Sequence, residues 1–221
     1  MFASQFVAAA ILYACGIHVG GTRHLTPSVQ LLLAGSGDLA VALYLFATLP
    51  FVAKRSLAEL GIRTPKLREI GTGLAGALAM VLITNPLAAL MQSLTHATHP
   101  EAALALLKGL HQPWQLVAFF LLACVLAPIT EELVFRAFIF NAVARYGGFW
   151  VGAVVSGILF GLIHVSSSAL DVLVFALPLA LGGIVLAFVY ARSTCYWSNV
   201  ITHALFNSVS VIAIIVFHAD T

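Results

Sequence analysis

Residues 113–143 read PWQLVAFFLLACVLAPITEELVFRAFIFNAV, and the fold is decided there. The stretch is apolar and longer than the roughly 20 residues a helix needs to cross a bilayer. It nevertheless holds Glu131, Glu132 and Arg136 in its second half. Ionisable side chains inside such a helix are costly, and they mark a functional site by default. Two later apolar helices carry sets of their own, Phe160-x-x-x-His164 and His203-x-x-x-Asn207. Three sets on three helices of the same half of the chain describe a buried reaction centre.

The rest of the chain fits this frame. Of its 221 residues 62% are hydrophobic and 8% charged, with a mean hydropathy of +1.06. A soluble domain carries about 25% charged residues. The expected fold is therefore all-α, one polytopic membrane domain over residues 1–221 with its catalytic core at about 111–215. Seven spans are expected, near 2–20, 27–52, 69–92, 114–143, 149–168, 171–191 and 197–217. Residues 1–110 read as ordinary membrane helix plus one basic loop, and nearly all buried polarity falls in 111–215.

Charge gives an orientation. Lys54, Arg55, Arg63, Lys66 and Arg68 crowd the loop after the second span, and Arg145 and Arg192 follow the fourth and sixth. The alternate loops hold only Arg23 and Lys108. The positive-inside rule then places the 53–68, 144–148 and 192–196 loops in the cytoplasm, with the N-terminus inside. The first residues lack the basic region of a secretory signal, so the first span is expected to be retained. Cys15, Cys124 and Cys195 show no paired spacing and are expected as free thiols.

Local chemistry sharpens the site. Pro128 implies a kink or short break just before the carboxylates. Glu132 and Arg136 stand at i, i+4 and can pair, which leaves Glu131 facing another element. One arginine cannot neutralise both carboxylates. At about 1.5 Å per residue, Glu131 lies roughly 20 Å and His203 roughly 16 Å from the cytoplasmic ends of their helices, with His164 at a similar depth. Phe160, one turn before His164, either shields the site or simply packs. His203 and Asn207 share one helical face and converge as donors to an oxyanion would. Gly157 and Gly161 form a G-x-x-x-G that lets helices approach. The inventory fits activation of a water for attack on a carbonyl, and it could equally bind a metal through Glu and two His.

The ordered set E-E-x-x-x-R, F-x-x-x-H, H-x-x-x-N resembles the CPBP family, which includes the type II CAAX prenyl endopeptidases and the Abi-type, lysostaphin-resistance-like intramembrane proteases. The resemblance spans Glu131 to Asn207. It implies an intramembrane endopeptidase with Glu131 as general base beside His164, and with His203 and Asn207 on the oxyanion. Glu132 and Arg136 would hold the geometry. The cofactor is either none or one divalent metal such as zinc, bound if present by Glu131, His164 and His203; no H-E-x-x-H occurs. The implied partners are the lipid bilayer and a membrane-associated peptide or protein substrate, in a bacterial inner membrane. Nucleic acid is not expected, because basic residues are few and, apart from the buried Arg136, confined to loops.

Other readings compete. A catalytically silent scaffold or immunity protein of the same fold would lose a catalytic position, yet all four are present. A proton-coupled transporter would show interrupted helices in both halves. Gly35-Ser36-Gly37-Asp38 reads as the G-x-G-D of presenilin-type proteases, but the second carboxylate motif is missing and Asp38 is read as a structural contact or a cavity lining. His96, His99 and His111 are read as solvated loop residues.

Overall fold

A computed structural model describes residues 25–95, 106–165 and 172–217, which are helical throughout with short connections and no strand. The expected first span, with Cys15 and Arg23, lies outside the described residues, as do His96 and His99. The helices are α1 (Pro27–Ala53), α2 (Leu67–Thr95), α3 (Pro113–Leu121), α4 (Ala127–Glu132), α5 (Asn141–Leu162), α6 (Leu177–Ser193) and α7 (Tyr196–Phe217). Wider π-helical turns at Leu122–Leu126, Leu133–Phe140 and Val172–Ala176 join α3 to α4, join α4 to α5 and lead into α6. Four helical runs are long and apolar enough to cross a membrane: Pro27–Ala53, Leu67–Thr95, Pro113–Leu162 and Val174–Ser193. The chain is an all-α integral membrane bundle.

The run from Pro113 to Leu162 is not one rod. Gly148 leaves helical geometry at φ 78°, ψ 177°. A Cβ on Gly152 would stand 2.8 Å from the Cβ of Ala144, whereas eight residues of straight helix would separate them by about 12 Å. The chain therefore folds back at the 144–148 corner. Phe140 packs edge-on against Phe149 and Tyr190 and seals that corner.

Helix α2 shows why these sequences pack as they do. Its buried residues are Glu69, Gly73, Gly76, Ala77, Met80 and Thr84, an i, i+3/i+4 stripe. Leu74, Leu78 and Leu82 occupy the opposite, exposed face, where lipid solvates them. Small residues bring backbones together. Thr202 and Ser198 on α7 donate hydroxyl hydrogen bonds to the Gly73 and Glu69 carbonyls, each at 2.8 Å. The G-x-x-x-G of α5 meets α6 in the same way: a Cβ on Gly157 would lie 2.7 Å from the Ala180 carbonyl oxygen. Without a hydrophobic drive between helices in lipid, this close contact and these bonds hold the bundle.

The basic loop is pinned. Tyr190 donates to the Leu60 carbonyl at 2.7 Å, and the Tyr196 amide donates to Gly61 at 2.9 Å. Gly61 has φ 79°, and a Cβ there would meet the Thr194 carbonyl oxygen at 2.8 Å. Arg63 grips Glu69 through two bonds of 3.0 and 2.6 Å. The hydrogen bond to that carboxylate raises the Arg63 guanidinium further above its usual range.

Candidate active site

Proline shapes the helix that carries the carboxylates. The Ala127 amide donates back to Leu122, so the turn is one residue wider than an α-turn. The next acceptor in that pattern is the Ala123 carbonyl, and residue 128, which should serve it, is a proline without an N–H. Asn207 on α7 supplies the missing donor, its Nδ2 lying 2.8 Å from that oxygen. The expected kink is thus a π-turn, and the proline that causes it creates the anchor for Asn207. Farther on, the Asn141 side-chain Nδ2 donates to the Arg136 and Ala137 carbonyls at 3.1 and 3.2 Å and serves the second wide turn.

Glu132 and Arg136 are wholly buried, at 0% exposure. Arg136 donates to Glu132 Oε1 at 3.1 Å and to the Gly183 carbonyl at 3.0 Å. Its guanidinium also lies 4.8 Å from the Phe160 ring centre, a cation–π contact strengthened by desolvation. Glu132 Oε1 meets His203 Nδ1 at 2.9 Å, and Oε2 accepts from Asn199 at 3.0 Å. Every oxygen of this carboxylate is committed. Glu132 is a positioning group that fixes the His203 ring, whose Nε2 then lies 3.7 Å from Glu131 Oε2.

Glu131 turns the other way. It lines a cavity of about 270 Å³ together with His164, His203, Asn207 and Phe160. Residues that start on three separate helices thus meet on one space, with the Phe160 ring tilted against His164 at 5.0 Å and edge-on to His203 at 5.4 Å. His164 Nδ1 lies 2.8 Å from the Phe160 carbonyl. A carbonyl only accepts, so the proton sits on Nδ1 and the Nε2 lone pair is available. Among the described residues, no three His, Cys, Asp or Glu side chains are gathered as a metal's ligand set. Glu131, His164 and His203 share the cavity, and the Glu132 carboxylate on His203 Nδ1 leaves Nε2 as the nitrogen that faces it.

Two contributions escaped the sequence reading. Asn199 is fully buried and joins Glu132 to the Leu186 carbonyl. It stands one turn before His203, so the sequence already held N-x-x-x-H-x-x-x-N on one face. The first half of the chain also takes part, through Thr84, Asn85 and Ala88 of α2 in the cavity wall. Asp38 is buried but does not occur among the described residues lining the cavity. Its carbonyl accepts from Thr130 at 3.2 Å. Cys124 and Cys195 are buried free thiols.

Comparison with known proteins falls on this same region. Residues 113–209 match the family described as type II CAAX prenyl endopeptidase Rce1-like. A stretch of 92 residues is 30% identical to the "Putative membrane peptidase YdiL" of Bacillus subtilis (strain 168). That stretch is 42% of this chain and 35% of the relative, so the match spans about a third of the curated protein. No solved structure gives a significant match. The matched region begins at α3 and ends just past Asn207, and it therefore contains Glu131, Glu132, Arg136, Phe160, His164, His203 and Asn207. Both matches liken this region of the chain to membrane peptidases.

Proposed function

We propose that the chain is an intramembrane endopeptidase that hydrolyses a peptide bond of a membrane-associated substrate. It works as one membrane domain over residues 1–221, with its core at 111–215, in a bacterial inner membrane and with the cavity and N-terminus on the cytoplasmic side. The observation that carries the reading is the division of labour between two adjacent carboxylates. Glu132 is consumed by Arg136, Asn199 and His203, while Glu131 faces the cavity with His164, His203 and Asn207.

The chemistry follows from those positions. Glu131, assisted by the His164 Nε2 lone pair, takes a proton from water as the oxygen attacks the scissile carbonyl carbon. The carbonyl oxygen becomes an oxyanion. Asn207 has one amide N–H on Ala123 and a second to donate. His203, with Nδ1 held by the Glu132 carboxylate, donates from Nε2 as an imidazolium that this carboxylate stabilises. Collapse of the tetrahedral intermediate breaks the C–N bond, and the leaving amine receives the proton held by Glu131 or His164. No serine or cysteine is required, and no step is routed through a metal. Asn207→Leu in proteoliposomes, assayed on quenched peptides, lowers kcat by about 10²–10³-fold, the usual cost of an oxyanion donor. An unchanged kcat would remove Asn207 from the mechanism.

A further inference from the structure

The loop between α1 and α2 carries more positive charge than the protein itself uses. Arg63 is spent on Glu69. Glu59 is turned back onto the Ser56 amide and hydroxyl, at 2.7 and 2.8 Å. Lys54, Arg55, Lys66 and Arg68 are left exposed, with no ion pair among the described residues. Arg192, exposed at the end of α6, stands two residues before Thr194, whose carbonyl faces Gly61 of the loop. Apolar side chains flank these cations: Phe51 is 82% and Leu67 84% exposed. Phe51 belongs to the last turn of α1 and Leu67 opens α2, so both lie where a membrane helix leaves the acyl layer.

The same loop is fixed to the helix that carries the carboxylates, through two buried tyrosines. Tyr190 donates to the Leu60 carbonyl at 2.7 Å and accepts from Asn141 Nδ2 at 2.9 Å. That Nδ2 also holds the Arg136 and Ala137 carbonyls. The Tyr196 amide donates to the Gly61 carbonyl at 2.9 Å, and its hydroxyl donates to the Ile129 carbonyl, two residues before Glu131. One tyrosine thus ties the loop to the turn after the carboxylates, and the other ties it to the turn before them. A loop held in this way presents its cations as a fixed array rather than as a flexible basic tail.

We propose that residues 54–68, with Arg192, dock the headgroups of anionic phospholipids, and that Tyr190 and Tyr196 transmit this occupancy to the carboxylate helix. Charge and placement carry the first half. Clustered Lys and Arg beside the end of a membrane helix attract anionic lipid by roughly fivefold in affinity for each cation near the surface. Phe51 and Leu67 enter the acyl boundary, a contact that a free phosphate ion would leave unused. Hydrogen bonding carries the second half. The loop cannot shift without drawing on Leu60 and Gly61, and through the tyrosines on residues 129–137. A headgroup that steadies the loop therefore steadies the helix of Glu131 and Glu132. The inference does not rest on peptide hydrolysis and goes beyond it, because it makes lipid composition a regulator of the site.

The test separates docking from transmission. Retention of fluorescent phosphatidylglycerol by the detergent-solubilised full chain is compared with retention of fluorescent phosphatidylcholine. One variant combines Lys54→Gln, Arg55→Gln, Lys66→Gln and Arg68→Gln; another, Lys54→Arg with Lys66→Arg, keeps the charge. Wild type and the charge-keeping variant should prefer the anionic lipid. The Gln variant should lose about fivefold for each cation removed, and the single replacements read the same loss one step at a time should the combined variant unfold. Equal retention of the two lipids by wild type, or an undiminished preference in the Gln variants, overturns the docking. So does displacement of the lipid by inorganic phosphate, which would mark a free-anion site. Transmission is read by hydrogen exchange of residues 133–140 in phosphatidylcholine vesicles with and without phosphatidylglycerol. Protection should rise with the anionic lipid in wild type and not in Tyr190→Phe, which keeps the lipid preference. Protection that ignores the anionic lipid in wild type, or rises equally in Tyr190→Phe, overturns the coupling. No arm requires cleavage, so a failure of the peptidase reading leaves each result interpretable.

Discussion

Glu132→Leu is the perturbation whose consequence the structure sizes best. The wild-type carboxylate takes bonds from Arg136 at 3.1 Å and Asn199 at 3.0 Å and lies 2.9 Å from His203. Removing it leaves the Arg136 charge, at 0% exposure, with the Gly183 carbonyl as its one hydrogen-bond acceptor among the described residues and two aromatic faces beside it. Breaking one side of a buried pair costs about 3–5 kcal/mol. At about 2–4 °C per kcal/mol for a chain of this size, the midpoint should fall by roughly 6–20 °C. Adding Arg136→Met removes the stranded charge, so the double variant should regain most of the loss. Activity should stay lost in both, because His203 has no anchor. The assay is thermal unfolding in detergent beside peptide cleavage. A Glu132→Leu midpoint within 2 °C of wild type, or a double variant no more stable than the single, would refute the reasoning.

Pro128→Ala returns an N–H to the position that should serve Ala123 and competes with Asn207. Its kcat should fall by roughly three- to tenfold, one hydrogen bond's worth, while the thermal midpoint holds or rises; loss of stability with full activity would count against the proline's role. Gly157→Val drives a side chain into the Ala180 carbonyl, 2.7 Å from where its Cβ must sit. Overpacking of this kind costs about 1–3 kcal/mol and should lower the midpoint measurably, whereas an unchanged midpoint would mean that α5 and α6 separate freely.

Much of the site was legible because helical spacing is a local rule. Glu132 and Arg136 pair at i, i+4, Glu131 faces away from them, and Gly157 packs against a neighbouring helix, all as the spacing implies. Asn199 was missed because H-x-x-x-N was read without its preceding turn. Thr84 and Asn85 were missed for a different reason. Two uncharged polar residues in an apolar span look like incidental packing until the helix is placed against the cavity, and that is a tertiary fact. Proline announced a bend at Pro128, but not its form. A wide turn that frees a carbonyl for another helix depends on the partner that completes it.

The central claim is that Glu131 activates the water that cleaves the peptide bond. Purified protein and its Glu131→Gln variant, run side by side on a quenched peptide library with and without a chelator, test it most directly. The account predicts cleavage by wild type and a loss of about 10²–10⁴-fold in Glu131→Gln, the range for a general base, and the chelator arm decides whether a metal takes part. Equal turnover by the two proteins would contradict it.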